Sequence, residues 1–295
     1  MFGPVDARND DQDRHREGVR DVKLQTVIGT VFLSLLWLAG CATGDAPDGS
    51  GPVSTRATDA GSPLPGSSAE SEQRRRARIR VELASNYYQS GNYRVALDEL
   101  QQALAIDPGY ATAFGLLGLI HADLGQQSRA EEAFRHGLRL APDDADLNNS
   151  FGWFLCQTSR ETASIAYFER AAKDPLYRTP AKPLHNAGIC LLRAGDEEGA
   201  ERFLHKAFEA DPSNAVALYQ LGELYLKRGD LQRARFYSQR LLAAWQPNAQ
   251  TIWLALRIEH ARGDADAERG LAAQLRRLFP DSPEAALLAQ RRFGG

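Results

Sequence analysis

Residues 184–212 read LHNAGICLLRAGDEEGAERFLHKAFEADP. Leu184, Ala187, Gly188 and Leu191 recur three and four residues apart, and so do Ala200, Leu204 and Ala207. That spacing predicts two short amphipathic helices. Gly195 lies between them as a turn residue, and Pro212 stops the second. The same residue types fall at the same offsets elsewhere. One unit has Leu83, Ala84, Tyr87, Gly91, Ala96, Leu100, Ala103 and Pro108; the next has Phe114, Leu117, Gly118, Gly125, Ala130, Phe134 and Pro142. A later one has Leu218, Leu221, Gly222, Tyr225, Gly229, Ala234, Leu241 and Pro247. The closing prolines 108, 142, 175 and 212 are 34, 33 and 37 residues apart, and Pro247 follows 35 later.

This pattern resembles the tetratricopeptide repeat, a helix-turn-helix unit of about 34 residues. Ala84, Gly118, Gly152, Gly188 and Gly222 occupy the place where the first helix of a unit (helix A) must approach its own second helix (helix B). One such hairpin cannot bury its apolar face alone, so units stack into a superhelix with a concave groove. The expected fold is all-α: about six hairpins over residues 72–281. The sixth is degenerate, with Trp253, Leu254, Leu256 and Ile258 in helix A and Leu271, Leu275, Leu278 and Phe279 in helix B. Ser282-Pro283-Glu284 then opens a short helix, expected to run to Arg292, that caps the stack.

The 295 residues, formal charge of −3 and 43% hydrophobic content suffice for one extended or two compact domains. The small charge gives no reason to expect nucleic acid. No apolar run reaches 18 residues, which excludes a multi-span membrane protein. Arg20 and Lys23 precede an apolar run from Leu24 to Leu38, followed by Ala39-Gly40-Cys41. Charge, core length and small residues before a thiol resemble the lipobox of a bacterial lipoprotein signal, here residues 1–40. The resemblance implies diacylglycerol on Cys41 and, with Ala42 rather than Asp next, the periplasmic face of the outer membrane. The alternative is a single inner-membrane anchor with an incidental Cys. More than 20 residues precede the core, and Val19 and Val22 are alternative start positions, so translation is expected to begin near them.

From Ala42 to Ser71, 15 of 30 residues are Gly, Pro or Ser. Nothing there builds a core, so residues 41–71 read as an acylated, disordered tether, spanning roughly 30 Å r.m.s.. Arg74, Arg75, Arg76, Arg78 and Arg80 follow, either a patch for anionic headgroups or an acidic partner, or the solvated start of a helix.

The third unit departs from the pattern: Asn148-Asn149-Ser150-Phe151-Gly152-Trp153-Phe154-Leu155-Cys156. The fourth has Asn186-Ala187-Gly188-Ile189-Cys190, after an extended loop running to Pro183. With the lipobox, tether and six repeats, these motifs resemble the type IV pilus biogenesis and stability lipoproteins called PilF or PilW. The resemblance implies a pilotin, a protein that helps the pilus secretin PilQ localise or multimerise in the outer membrane. The alternative is a general repeat scaffold for another outer-membrane or cell-wall assembly.

With Cys41 assigned to lipid, Cys156 and Cys190 remain as an even pair at similar heights on adjacent A helices. They are expected to form a disulfide in the oxidising periplasm, the alternative being two buried thiols. Asn148 is expected to bond buried backbone or the extended loop, the alternative being direct contact with a partner. Groove-lining offsets of helix A select Val81, Ser85 and Tyr88; Thr112, Gly115 and Leu119; Asn149 and Trp153; His185 and Ile189; Tyr219 and Glu223. Their mainly apolar lining suits a short hydrophobic peptide of a partner protein, and an apolar patch of this kind is also a plausible dimer surface. No cofactor, metal or small-molecule substrate is expected. The six histidines lack ligand spacing, and His185 and Cys190 do not share a helix face, so no catalytic residue is assigned. A hydrolase using Cys156 or Cys190 as nucleophile would need that thiol free.

Overall fold

The computed structural model describes residues 70–293. The signal segment, Cys41 and all but the last two residues of the tether lie outside them. The described residues form thirteen α-helices in six antiparallel pairs and a cap. The pairs are α1 (Glu72–Gln89) with α2 (Tyr93–Ile106), α3 (Ala111–Asp123) with α4 (Gln127–Leu140), and α5 (Ala145–Gln157) with α6 (Glu161–Ala172). They continue with α7 (Ala181–Ala194) and α8 (Glu197–Ala210), α9 (Ala215–Lys227) and α10 (Leu231–Ala244), and α11 (Ala249–Arg262) and α12 (Ala265–Leu278). The cap is α13 (Pro283–Ala289). No strand occurs among the described residues, and no described helix is long and apolar enough to cross a membrane.

Local chemistry sets the helix ends. Ser71, Asp144, Asp196, Asn214, Asp230, Asp264 and Ser282 each accept a hydrogen bond from a backbone N–H of the first turn. Such a cap contributes about 1 kcal/mol. Asn248 and Thr251 cap α11 reciprocally. Within five hairpins the turn glycine has φ between +72° and +81°. In the third, Ser159 takes this left-handed place with φ +60°, and the chain closes the same way, Arg160 N–H donating to Leu155 O at 2.9 Å.

The close-approach residues behave as expected in three units and differently in a fourth. A Cβ on Gly118 would lie 2.7 Å from the Phe134 ring, one on Gly152 2.9 Å from Phe168, and one on Gly188 2.6 Å from Leu204. Each of these neighbours sits on the unit's own helix B. Gly222 instead faces Leu254 of the next helix A, at 3.0 Å. The extended loop is also shorter than its reading: α7 starts at Ala181, and Pro183 lies in its first turn, where no intrahelical N–H bond is lost. The cap ends at Ala289 rather than near Arg292, because the chain turns back through Arg291, φ +53°.

The core is a series of small clusters, each shared between neighbours. One joins the first two hairpins through Val81, Leu100 and Ile120. The next packs Phe134 against Phe151 and Phe154, at ring distances of 5.6 and 5.5 Å. The last joins Ile252, Leu256 and Leu275 to Ala285 and Leu288 of the cap. Burying each large side chain stabilises by about 2–3 kcal/mol. This nearest-neighbour arrangement is the energetic plan of a solenoid.

Candidate peptide-binding groove

Helix A of each hairpin touches helix A of the next, whereas no helix B touches another helix B among the described residues. The A helices are therefore crowded on the inner side of the stack and the B helices are spread on the outer side. The concave face is built from helix A.

The junction between the third and fourth hairpins is tied twice. Cys156 on α5 and Cys190 on α7 form a disulfide, with Cα atoms 5.7 Å apart and both residues fully buried. Nearer the start of these helices, Asn186 Nδ2 donates to Asn149 Oδ1 at 3.0 Å. Both amides are buried, where a satisfied pair fixes register more strictly than apolar contact does. Asn148 is fully buried, and its Nδ2 donates to the carbonyls of Pro142 and Asp144, 2.8 Å each. Its role is structural: it holds the chain that leads into α5. The extended loop is anchored instead by Tyr177, whose hydroxyl donates to Asp146 Oδ1 at 2.9 Å.

Ten of the twelve residues selected for the groove keep surface. Thr112 is exposed, and Ser85, Tyr88, Gly115, Leu119, Trp153, His185, Ile189, Tyr219 and Glu223 are half-buried. Two correct the reading. Val81 is covered by the first core cluster, and Asn149 is turned into the joint by Asn186. Gly115 is there for space: Leu147 Cδ1 would lie 3.1 Å from a Cβ at that place.

Over its first four units the groove sets Tyr88, Leu119, Trp153 and Ile189 among Ser85, Thr112 and His185, and it is polar at the fifth. Trp153 packs beside the disulfide cluster. His185 Nδ1 is buried with no hydrogen-bond partner, and burial pushes the ring's pKa down to about 4, keeping it neutral. Tyr219 donates to Glu223 Oε1 at 3.2 Å, and burial raises its phenol above the ordinary value. Arg257 Nη1 meets both Glu223 oxygens, at 2.8 and 3.0 Å. Arg257 stands 34 residues after Glu223, at the same offset one repeat later. That offset was the available signal for it, as it was for Trp253 after Tyr219; the sequence reading placed Trp253 in helix A but not in the groove. The Asn149–Asn186 pair was missed because Asn149 was read as a groove contact, whereas it is buried against Asn186.

The arginine run at the start of α1 is largely engaged. Arg74 pairs with Asp107 and lies over the Tyr110 ring, Arg78 pairs with Glu70 and Glu82, and Arg80 with Glu99. No group of three or more metal-ligating side chains occurs among the described residues.

Stacked hairpins with a continuous inner face of helix A define a repeat scaffold of the tetratricopeptide class. Tetratricopeptide repeat models match residues 81–145 and 191–257. The solved structure of PilW, described as a widely conserved type IV pilus biogenesis factor, is 32% identical. It aligns over 72% of this chain and 98% of its own, with TM-score 0.65. The type IV pilus assembly protein PilF of Pseudomonas aeruginosa is 26% identical over 86% of this chain and 94% of its own. A solved structure of Pseudomonas aeruginosa PilF, 23% identical with TM-score 0.67, has the same fold. The chain belongs to this family of tetratricopeptide-repeat proteins of type IV pilus biogenesis.

Proposed function

We propose that this protein is a pilotin: anchored by acyl chains on Cys41 to the periplasmic face of the outer membrane, it binds the pilus secretin and promotes its localisation and multimerisation. The observation that carries this reading is an inner face of A helices, tied at its centre by a disulfide and a buried amide pair, in a chain of the PilF and PilW family. A groove lined by Tyr88, Leu119, Trp153 and Ile189 suits an apolar segment of a partner, held by side-chain pockets. Several acyl chains hold a protein firmly at a bilayer where one binds only marginally. The tether would give the repeats reach below that surface.

The mode of action is scaffolding. A nucleophilic cysteine among the described residues would need a free Sγ, and both are spent in one bond.

The test is the amount of heat-resistant secretin multimer in outer membranes of cells lacking the gene, complemented with the unmodified chain or with Cys41→Ser. Multimer restored by the former and not the latter supports the reading. Normal multimer in the deletion strain removes the assigned role and leaves the scaffold intact.

A further inference from the structure

The sixth hairpin carries its own groove residues, and they are already occupied. Trp253, Arg257 and His260 lie four and three residues apart, on one stripe of α11. Trp253 and Arg257 follow Tyr219 and Glu223 by 34 residues, so this stripe continues the concave face. Phe293 returns to it. After α13 the chain reverses, with Arg291 N–H donating to Leu288 O at 3.1 Å and Arg292 N–H to Leu287 O at 3.0 Å. The Phe293 ring then stacks on His260 at 3.8 Å and on Trp253 at 5.8 Å, with interplanar angles of 18°. It thus bridges the helical turn that carries Arg257. The Nε of Arg257 is buried and has no hydrogen-bond partner among the described residues.

The end of the core is closed by Ala285 and Leu288, which pack with Ile252 and Leu275, and Phe293 packs at the edge of the same cluster, which contains Trp253. Phe293 lies beyond the helix, past a left-handed C-cap at Arg291, φ +53°, closed by the same backbone hydrogen bonds that end the A helices.

We propose that Trp253, Arg257 and His260 form a binding site for an aromatic side chain on a peptide, which Phe293 fills in cis. The sixth hairpin takes a partner's aromatic residue only when this segment swings out. This deepens the groove reading and rests on it for the face concerned. It limits a resting partner to the first five hairpins and gives the sixth a second, competitive grip. If Phe293 occupies the site nine-tenths of the time, apparent affinity in trans falls about tenfold.

The probe is a fluorescent peptide of sequence Gln-Arg-Arg-Phe-Gly-Gly, titrated by anisotropy into the full chain and into full chains bearing Phe293→Ala or Phe293→Leu. Phe293→Leu keeps apolar cover while removing the stacked ring, and helical circular dichroism checks that each variant is folded. At least tenfold tighter capture by a folded variant than by the unmodified chain is the expected result, lost when the peptide's Phe is Ala or when His260→Ala is added. Equal capture by all chains, no capture by either folded variant, or capture that ignores His260→Ala overturns the site. No secretin enters this assay, so its failure and that of the pilotin reading are separable.

Discussion

An alanine at position 188 would set its methyl carbon 2.6 Å from Leu204 Cγ and 2.7 Å from Cδ2, with the Ala200 carbonyl behind at 3.4 Å. Leu204 is fully buried and has nowhere to go, so Gly188→Ala is expected to destabilise by about 1–3 kcal/mol. Gly222→Ala meets one Leu254 methyl at 3.0 Å and should cost less; urea midpoints of the two variants make the comparison. His185 gives a pH prediction. Its ring is neutral in the fold with a pKa of about 4, against about 6.5 in the unfolded chain. The unfolded chain binds the proton first, so stability is intact above pH 6.5 and falls as pH drops from 6.5 to 4. The full loss is at most about 3 kcal/mol, because the ring is partly exposed. His185→Gln should flatten the urea midpoint across that window. At this scale the sequence was readable where a residue type answers one need, as glycine does at position 188. The Asn149–Asn186 pair was not, because a buried amide looks like a groove contact until its partner is placed.

The turn of the third hairpin shows what an element tolerates. Ser159 holds φ +60° where five other hairpins have glycine. Ser159→Gly is therefore expected to raise stability by about 1 kcal/mol, and Gly195→Ala, at φ +81° with open space around it, to lower it by a similar amount. Thermal melts of both variants check the pair of signs. The bond between Cys156 and Cys190 ties α5 to α7 across a separation of 34 residues. Replacing both by Ala should cost about 4 kcal/mol in the loop-closure account, read from urea midpoints without reductant. Hairpin number and most turns were legible because apolar spacing and glycine recur together. The start of α7 was not, since proline marks a loop and a first helical turn equally well. The cap's true end was hidden for a related reason: Arg291 carries no turn signal, yet it takes the left-handed place that closes the helix.

Over the whole described stack, four clusters pass from one hairpin to the next and a fifth joins the last hairpin to the cap, and none spans the stack. Six stacked hairpins followed from period alone. Which positions on the inner face stay open did not, because it depends on neighbours: Val81 and Asn149 are covered while Trp153 and Ile189 keep surface. The central claim is that this inner face receives the secretin. A photo-reactive residue can be placed at Ile189, on the inner face, or at Phe236, which is 49% exposed on helix B of the fifth hairpin. With each variant expressed as the full chain in piliated cells, the account predicts cross-links to the secretin from position 189 and none from position 236. Cross-links from position 236 with none from position 189 would contradict it.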